Sequence, residues 1–280
     1  MTAQGRANTA RRVLISGGGI AGLTLAYWLH QHGWQPEIVE RAPQLRPEGY
    51  AIDFAGSGWD VAERMQIVPA LRESQVTVDY LSFQDDAGRT LARLPMAAFQ
   101  RAFQNQMIQT TRPDLESILY NAIRDTVPIR FEMSIQQIDQ TPDQVSVAFT
   151  DGTRADYDLL VGADGAHSNV RRLLFGDETQ FAVYLGYYFA TFPAPRLDQL
   201  EDGALIYLEP NRQATIFPYR QGGHTALLVY RAPDAGQIPG AQRKATLEAH
   251  YQGAGWVIPQ LIASISDDTP LYFDSVTQIR

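Results

Sequence analysis

The run Gly17-Gly18-Gly19-Ile20-Ala21-Gly22 fits G-x-G-x-x-G and lies between two patterned segments. Before it comes Arg12–Ser16 (RVLIS), short, apolar and β-branched, as a strand buried on both faces of a parallel sheet would be. In such a setting Gly17 permits a tight turn, Gly19 lets the backbone approach a pyrophosphate, and Gly22 lets helix and strand pack closely. The helix predicted from Ile20 to His32, with Ala21 in its first turn, aims free N–H groups and its positive dipole end at the phosphates. Gly33 ends that helix, and Gln35 to Glu40 (QPEIVE) supplies a second strand that closes a βαβ unit. Glu40 follows the glycines by about 20 residues, where a carboxylate accepts hydrogen bonds from a ribose 2′-hydroxyl. Together these features predict a dinucleotide site.

Other folds compete for the same segment and fit it less well. Arg11 and Arg12 precede the apolar run as the basic flank of a signal peptide would. A signal peptide then needs a small-residue cleavage site, whereas this run continues into the amphipathic Tyr27-Trp28-Leu29-His30-Gln31-His32. A membrane helix needs about 20 apolar residues, and each early glycine costs a helix interior about 1 kcal/mol relative to alanine.

The length of 280 residues, 45% of them hydrophobic, suits one large domain or two interleaved ones. A net charge of -8 argues against a nucleic-acid surface, which needs clustered Lys and Arg. No cysteine is present, which excludes disulfides, thiolate metal sites and cysteine nucleophiles and gives no sign of an oxidising compartment. A cytoplasmic protein without a membrane span is expected.

Further along, "LESILYNAIRD" carries a helical apolar stripe behind Arg112-Pro113-Asp114, with proline suited to a first helical turn. "PIRFEMS" reads as a strand, and the stretch from Ile135 to Tyr157 reads as a small β-meander. The buried strand Asp158–Gly162 returns to the sheet and presents Asp164-Gly165 at its carboxyl end, where ligands of open α/β sheets bind. Hairpins and strands dominate from Val76 ("VTVDYLSFQDDAGRTLARLP") and again after Phe181 ("YLGYYFATF", "GALIYLEP", "RQATIFPYR", "HTALLVYR").

On "GGGIAGLTLA…EIVER", "GYAIDF", "TTRPDLESIL" and "DLLVGADGAHSNVRRLL", taken in that order, the sequence resembles the FAD-dependent aromatic hydroxylases of the para-hydroxybenzoate hydroxylase type. Within them it is most similar to the tetracycline-inactivating and polyketide-hydroxylating flavin monooxygenases. The resemblance implies an α/β fold in which a Rossmann-like FAD-binding domain, with a parallel sheet and a β-meander, is interleaved with a mostly antiparallel β-sheet substrate domain. The expected boundaries are 11–75 and 108–180 for the FAD-binding domain, 76–107 and 181–280 for the substrate domain, and 1–10 for a flexible tail.

It also implies roles. Glu40 would hold the adenosine ribose with Arg41 beside it, and Arg112 would contact the ribityl or phosphate portion of the flavin. Asp164 and Gly165 would line the FAD crevice, and Arg46 and Asp53 would lie near the flavin ring and the nicotinamide approach. Ordinary roles stay open for each: a surface ion pair of Arg112 with Asp114 or Glu116, a turn at Asp164, unremarkable loop positions for Arg46 and Asp53.

The implied activity is an FAD-dependent monooxygenase that uses NAD(P)H and molecular oxygen to hydroxylate an aromatic or polyketide-like small molecule. The flavin supplies the reactive group, so neither a catalytic triad nor a metal site is expected. "AGSGW" lacks the first glycine of a nucleophile elbow, and His167 and His224 have no evident orienting carboxylate. The resemblance further implies a later strand ending in Gly-Asp and a helix, which this sequence does not contain. Either the chain is a truncated product or the missing segment comes from another polypeptide, and a partner chain or self-association enters the expectation with the second. A non-catalytic FAD-binding subunit and a flavin-dependent reductase or dehydrogenase remain alternatives.

Overall fold

The computed structural model describes residues 10–45, 50–197, 203–218 and 223–280; Arg46 and nearly all of the expected tail, 1–10, lie outside them. The chain begins β1 (Arg12–Ser16), α1 (Ile20–Gln31), β2 (Gln35–Val39), β3 (Ala51–Ala55), α2 (Ser57–Arg64), α3 (Val68–Glu73). Next come β4 (Tyr80–Gln84), β5 (Thr90–Pro95), α4 (Met96–Ala102), β6 (Met107–Thr111), α5 (Arg112–Asn121) and β7 (Ile129–Arg130). The middle holds β8 (Ile135–Gln140), β9 (Val145–Phe149), β10 (Arg154–Tyr157), β11 (Leu159–Gly162), α6 (Asn169–Phe175) and β12 (Ala182–Ala194). The last elements are β13 (Gly203–Glu209), β14 (Arg212–Pro218), β15 (His224–Arg231), α7 (Arg243–His250), α8 (Ile258–Ala263) and β16 (Tyr272–Ile279).

These elements form two units: Met1–Arg46, Leu115–Ala182 and Ile279–Arg280 in one, Pro47–Asp114 and Val183–Gln278 in the other. In this division 47–75 and 108–114 fall with the second unit. The first unit is built on a parallel sheet in the order β11-β1-β2-β7. Val13, Leu14 and Ile15 of β1 are wholly buried, which explains a strand apolar on both faces. β8, β9 and β10 form the antiparallel meander, and Leu14, Val39, Phe149, Tyr157 and Val170 share one core. Arg12 lies over the Tyr157 ring, whose hydroxyl donates to Glu37 at 2.8 Å.

One expected strand is shorter than its pattern. "PIRFEMS" pairs with β2 only through Ile129 and Arg130, because Glu132 takes a left-handed φ of +54° and turns the chain back toward Glu40 and Ala42.

The second unit centres on a seven-stranded sheet in the order β16-β12-β15-β14-β13-β4-β5. It is antiparallel from β12 through β13, with β13 and β4 running parallel. Alternation divides its faces. Tyr188, Ala190, Phe192, Ala226, Leu228 and Tyr230 pack with Leu247 of α7 and with Ile258, Leu261 and Ile262 of α8. The opposite face carries Phe189, Leu227, Val229 and, tilted against Phe189, Tyr272. β3 and β6 form a separate antiparallel pair. Among the described residues no helix is long and apolar enough to cross a membrane.

Candidate dinucleotide site

The glycine loop follows from local sterics. Gly17 has φ +111°, and a side chain there would begin 2.4 Å from the Ala163 carbonyl oxygen. A methyl group at Gly22 would stand 1.9 Å from the carbonyl oxygen of Gly17. Both positions accept only hydrogen. Gly19 is the N-cap of α1, with extended φ and ψ of −82° and −174°. No side chain caps that helix, and its first turn carries no acidic residue. The unpaired amides of a helix start need partners, and here no side chain supplies one, an arrangement suited to an anion. Ile20 opens the helix half-buried, and Ala21 is exposed.

Glu40 stands just past β2, and its carboxylate closes this loop. Oε2 accepts from the Gly18 N–H and Oε1 from the Ala42 N–H, both at 2.8 Å. Each carboxylate oxygen has capacity for another donor, so these bonds leave room for ribose hydroxyls. Arg41 beside it is exposed.

Asp164 gathers the ends of β1, β11 and α6. Its Oδ2 accepts from the Asn169 and Val170 N–H groups at 2.9 and 3.0 Å and from the Ser16 hydroxyl at 3.3 Å. Its Oδ1 accepts from Ser168 Oγ, while Ser168 Oγ itself accepts from the Arg171 N–H at 3.0 Å, the N-cap bond of α6. Gly165 has φ +83° and no atom within 4 Å of where a side chain would begin. The loop here contains a cluster that the sequence reading did not identify. His167 Nδ1 lies 2.9 Å from Glu178 Oε1, and Arg171 reaches Glu178 Oε2 at 3.1 Å and the Ala166 carbonyl. His167 therefore has the carboxylate neighbour that its isolation in sequence did not suggest.

The structure thus brings Gly17, Gly19, Gly22, Glu40, Asp164 and Gly165 together at the carboxyl ends of β1, β2 and β11. Asp53 and Arg112 belong to the other unit. Asp53 is exposed on β3 opposite Gln109 of β6, and the Arg112 N–H donates to the Tyr50 carbonyl at 3.0 Å.

A parallel sheet with a glycine-cradled helix start at its carboxyl end, a meander and a large mixed sheet define a flavin-nucleotide fold. The residues suit FAD: Gly17 and Gly22 admit nothing larger than glycine, and no side chain caps the α1 amides, which leaves them for phosphate. The chain belongs to the FAD binding domain family, matched over residues 10–252. It is an FAD-dependent monooxygenase. An uncharacterized protein of Mycobacterium tuberculosis is 34% identical over 280 residues, covering 96% of this chain and 73% of that one. A flavin-dependent monooxygenase of Legionella longbeachae is 29% identical, covering 96% of this chain and 69% of its own. Among solved structures, tetracycline destructase Tet(55) matches with a TM-score of 0.85 at 28% identity, covering 97% of this chain and 70% of that one.

Proposed function

We propose that this chain hydroxylates an aromatic or polyketide-like small molecule, with NAD(P)H as reductant and molecular oxygen as the oxygen source. The observation that carries the reading is the uncapped start of α1 above a loop that tolerates no side chain at Gly17 or Gly22. When bound, FAD supplies the redox and oxygen-transfer chemistry, which leaves binding, orientation and water exclusion to the protein.

In this reading 11–75 and 108–180 serve the cofactor and 76–107 and 181–280 the substrate. The amides of Gly19, Ile20 and Ala21 hold the pyrophosphate. Glu40 takes the adenosine ribose while keeping its bonds to Gly18 and Ala42, with Arg41 beside it. Asp164 orders the α6 start, so that it and Gly165 shape the crevice wall. Arg112 contacts the ribityl or phosphate portion, and Arg46 and Asp53 lie near the flavin ring.

The substrate rests on the sheet face that α7 and α8 leave free, where Phe189, Leu227, Val229 and Tyr272 offer an apolar floor. Thr191 on that face is buried with its hydroxyl unpartnered among the described residues, a polar handle for a substrate oxygen. A cytoplasmic setting suits the use of NAD(P)H. The outer edge of β11, where Leu159 is 40% exposed, is the surface on which self-association is expected.

The test is oxygen uptake by the FAD-loaded protein, followed with NAD(P)H and a panel of phenols and fused-ring polyketides, tetracycline included. Substrate-stimulated uptake with a product heavier by one oxygen atom supports the reading. NAD(P)H oxidation that no member of the panel accelerates, with no hydroxylated product, overturns it.

A further inference from the structure

The loop from Asp164 to Ser168 is tied on two sides. On the inner side Asp164 accepts from the Asn169 and Val170 N–H groups and from the hydroxyls of Ser16 and Ser168. On the outer side a second carboxylate holds it from further along the chain. Glu178 opens a one-turn 3₁₀ helix, Glu178–Gln180, between α6 and β12. Its Oε1 lies 2.9 Å from His167 Nδ1, and its Oε2 accepts from Arg171 Nη2 at 3.1 Å. The same Nη2 donates to the Ala166 carbonyl at 2.5 Å. On the reading that Asp164 and Gly165 shape the cofactor crevice, on which this rests, we propose that Glu178 is a positioning residue for the flavin nucleotide. It acts through His167 and Arg171, which hold the loop so that Gly165 keeps an open face for the cofactor.

Charge makes the outer tie strong. The Arg171 side chain keeps only 13% of its surface exposed, and its Nε is buried without a partner among the described residues. The guanidinium lies 5.9 Å from the centroid of Phe181, a cation–π contact that brings no opposite charge. Glu178 is the carboxylate that compensates this cation among the described residues. Removing one partner of a largely buried pair leaves the other uncompensated. One nitrogen, Nη2, serves both Glu178 and Ala166, so the orientation that satisfies the carboxylate also satisfies the loop.

Geometry directs the effect to Gly165. Its φ of +83° is left-handed, and nothing stands within 4 Å of where a side chain would begin. Its neighbours are held on both sides: Asp164 by the start of α6, Ala166 and His167 by the Arg171–Glu178 pair. A glycine fixed at both ends with open space over it is backbone that a ligand can approach closely. Releasing the outer tie lets residues 165–167 sample more backbone conformations, which a ligand must then order on binding. The loss appears in affinity, because the core of this unit around Leu14, Val39, Phe149 and Val170 keeps its contacts.

The experiment measures FAD affinity of the full chain by flavin fluorescence, with thermal unfolding of the flavin-free protein alongside. Glu178→Gln offers one acceptor oxygen where the carboxylate offers two, so one arm breaks and the charge is lost. It should weaken FAD at least about fivefold. Glu178→Asp keeps the charge and should bind FAD within about twofold of the parent. Tyr157→Phe removes the bond to Glu37 in the same unit; it should lower the melting temperature yet leave FAD affinity within about twofold of the parent. The proposal is overturned if Glu178→Gln binds FAD like the parent, if Glu178→Asp binds as weakly as Glu178→Gln, or if Tyr157→Phe weakens FAD as much. Should Glu178→Gln not fold, His167→Ala removes one arm at a half-exposed side chain, and parent-like affinity there overturns the proposal equally. A parent chain that binds no FAD overturns the cofactor site itself, and this proposal with it, which sets that failure apart from the others.

Discussion

At Gly22 the demand for hydrogen is absolute, because a methyl group would overlap the Gly17 carbonyl oxygen at 1.9 Å. Gly22→Ala must push α1 away from the loop, and we expect loss of FAD binding with a lowered melting temperature. Flavin titration and thermal unfolding check both. Glu40 makes a subtler case, because its carboxylate ties Gly18 to Ala42 before any ligand arrives. Glu40→Ala should weaken FAD by about 1–3 kcal/mol, the usual cost of a lost charged acceptor, and should also destabilise the flavin-free protein. A flavin-free melting temperature equal to the parent's would show that these two bonds contribute nothing. Gly22 and Glu40 were legible in the sequence because their partners, Gly17, Gly18 and Ala42, lie within or beside one βαβ unit. The capping role of Asp164 was not, since Ser16 lies 148 residues away and nothing local marks the pair.

Among elements, α6 tests how far Asp164 is structural. Ser168 is the helix N-cap, so Ser168→Ala should cost about 1 kcal/mol of stability. Asp164→Ala leaves the Asn169 and Val170 amides without their acceptor and should cost more, about 2–3 kcal/mol for charge-assisted bonds. Chemical denaturation of both variants gives the order, and a reversed order would make Asp164 a bystander to the helix.

The β4–β5 hairpin was readable from Asp86-Ala87-Gly88, yet its anchoring was not. Asp86 accepts from the Tyr207 hydroxyl at 2.5 Å and from the Gly255 N–H at 3.0 Å, which joins the turn to the loop before α8. The Tyr207 hydroxyl, followed by the Gly255 N–H, holds the Asp86 carboxyl below its usual 3.8. A depressed carboxylate stabilises the fold above its unfolded-state pKa and loses that contribution as pH falls through the folded value. The parent should therefore lose stability below pH 3.8 more steeply than Asp86→Asn, as melting curves across that range would show. The helices α2, α3 and α4 were missed altogether. Each has eight residues or fewer, too short for an apolar period to stand out from a strand-rich background.

For the whole molecule, cofactor and stability are linked. FAD at about 100 times its dissociation constant should add about 2.7 kcal/mol to the folded state, seen as a rise in melting temperature that Gly22→Ala abolishes. A parent protein whose melting temperature ignores FAD would contradict the assigned site. The parallel and antiparallel sheets were both legible in outline, because strand patterns and turn residues are local signals. The partners of β4 and β1 were not, because pairing with β13 and β11 is decided far along the chain.

That long-range pairing bears on how the protein is made. On the ribosome the edge of β1 toward β11 stays open until residues 146 positions later have been synthesised. At about 5–20 residues per second that wait lasts many seconds, during which a strand with Val13, Leu14 and Ile15 at its centre is exposed to chaperones, proteases and other nascent chains. Synthesis rate and chaperone supply should then govern the yield of native protein more strongly than they would for a chain that pairs each strand with its successor.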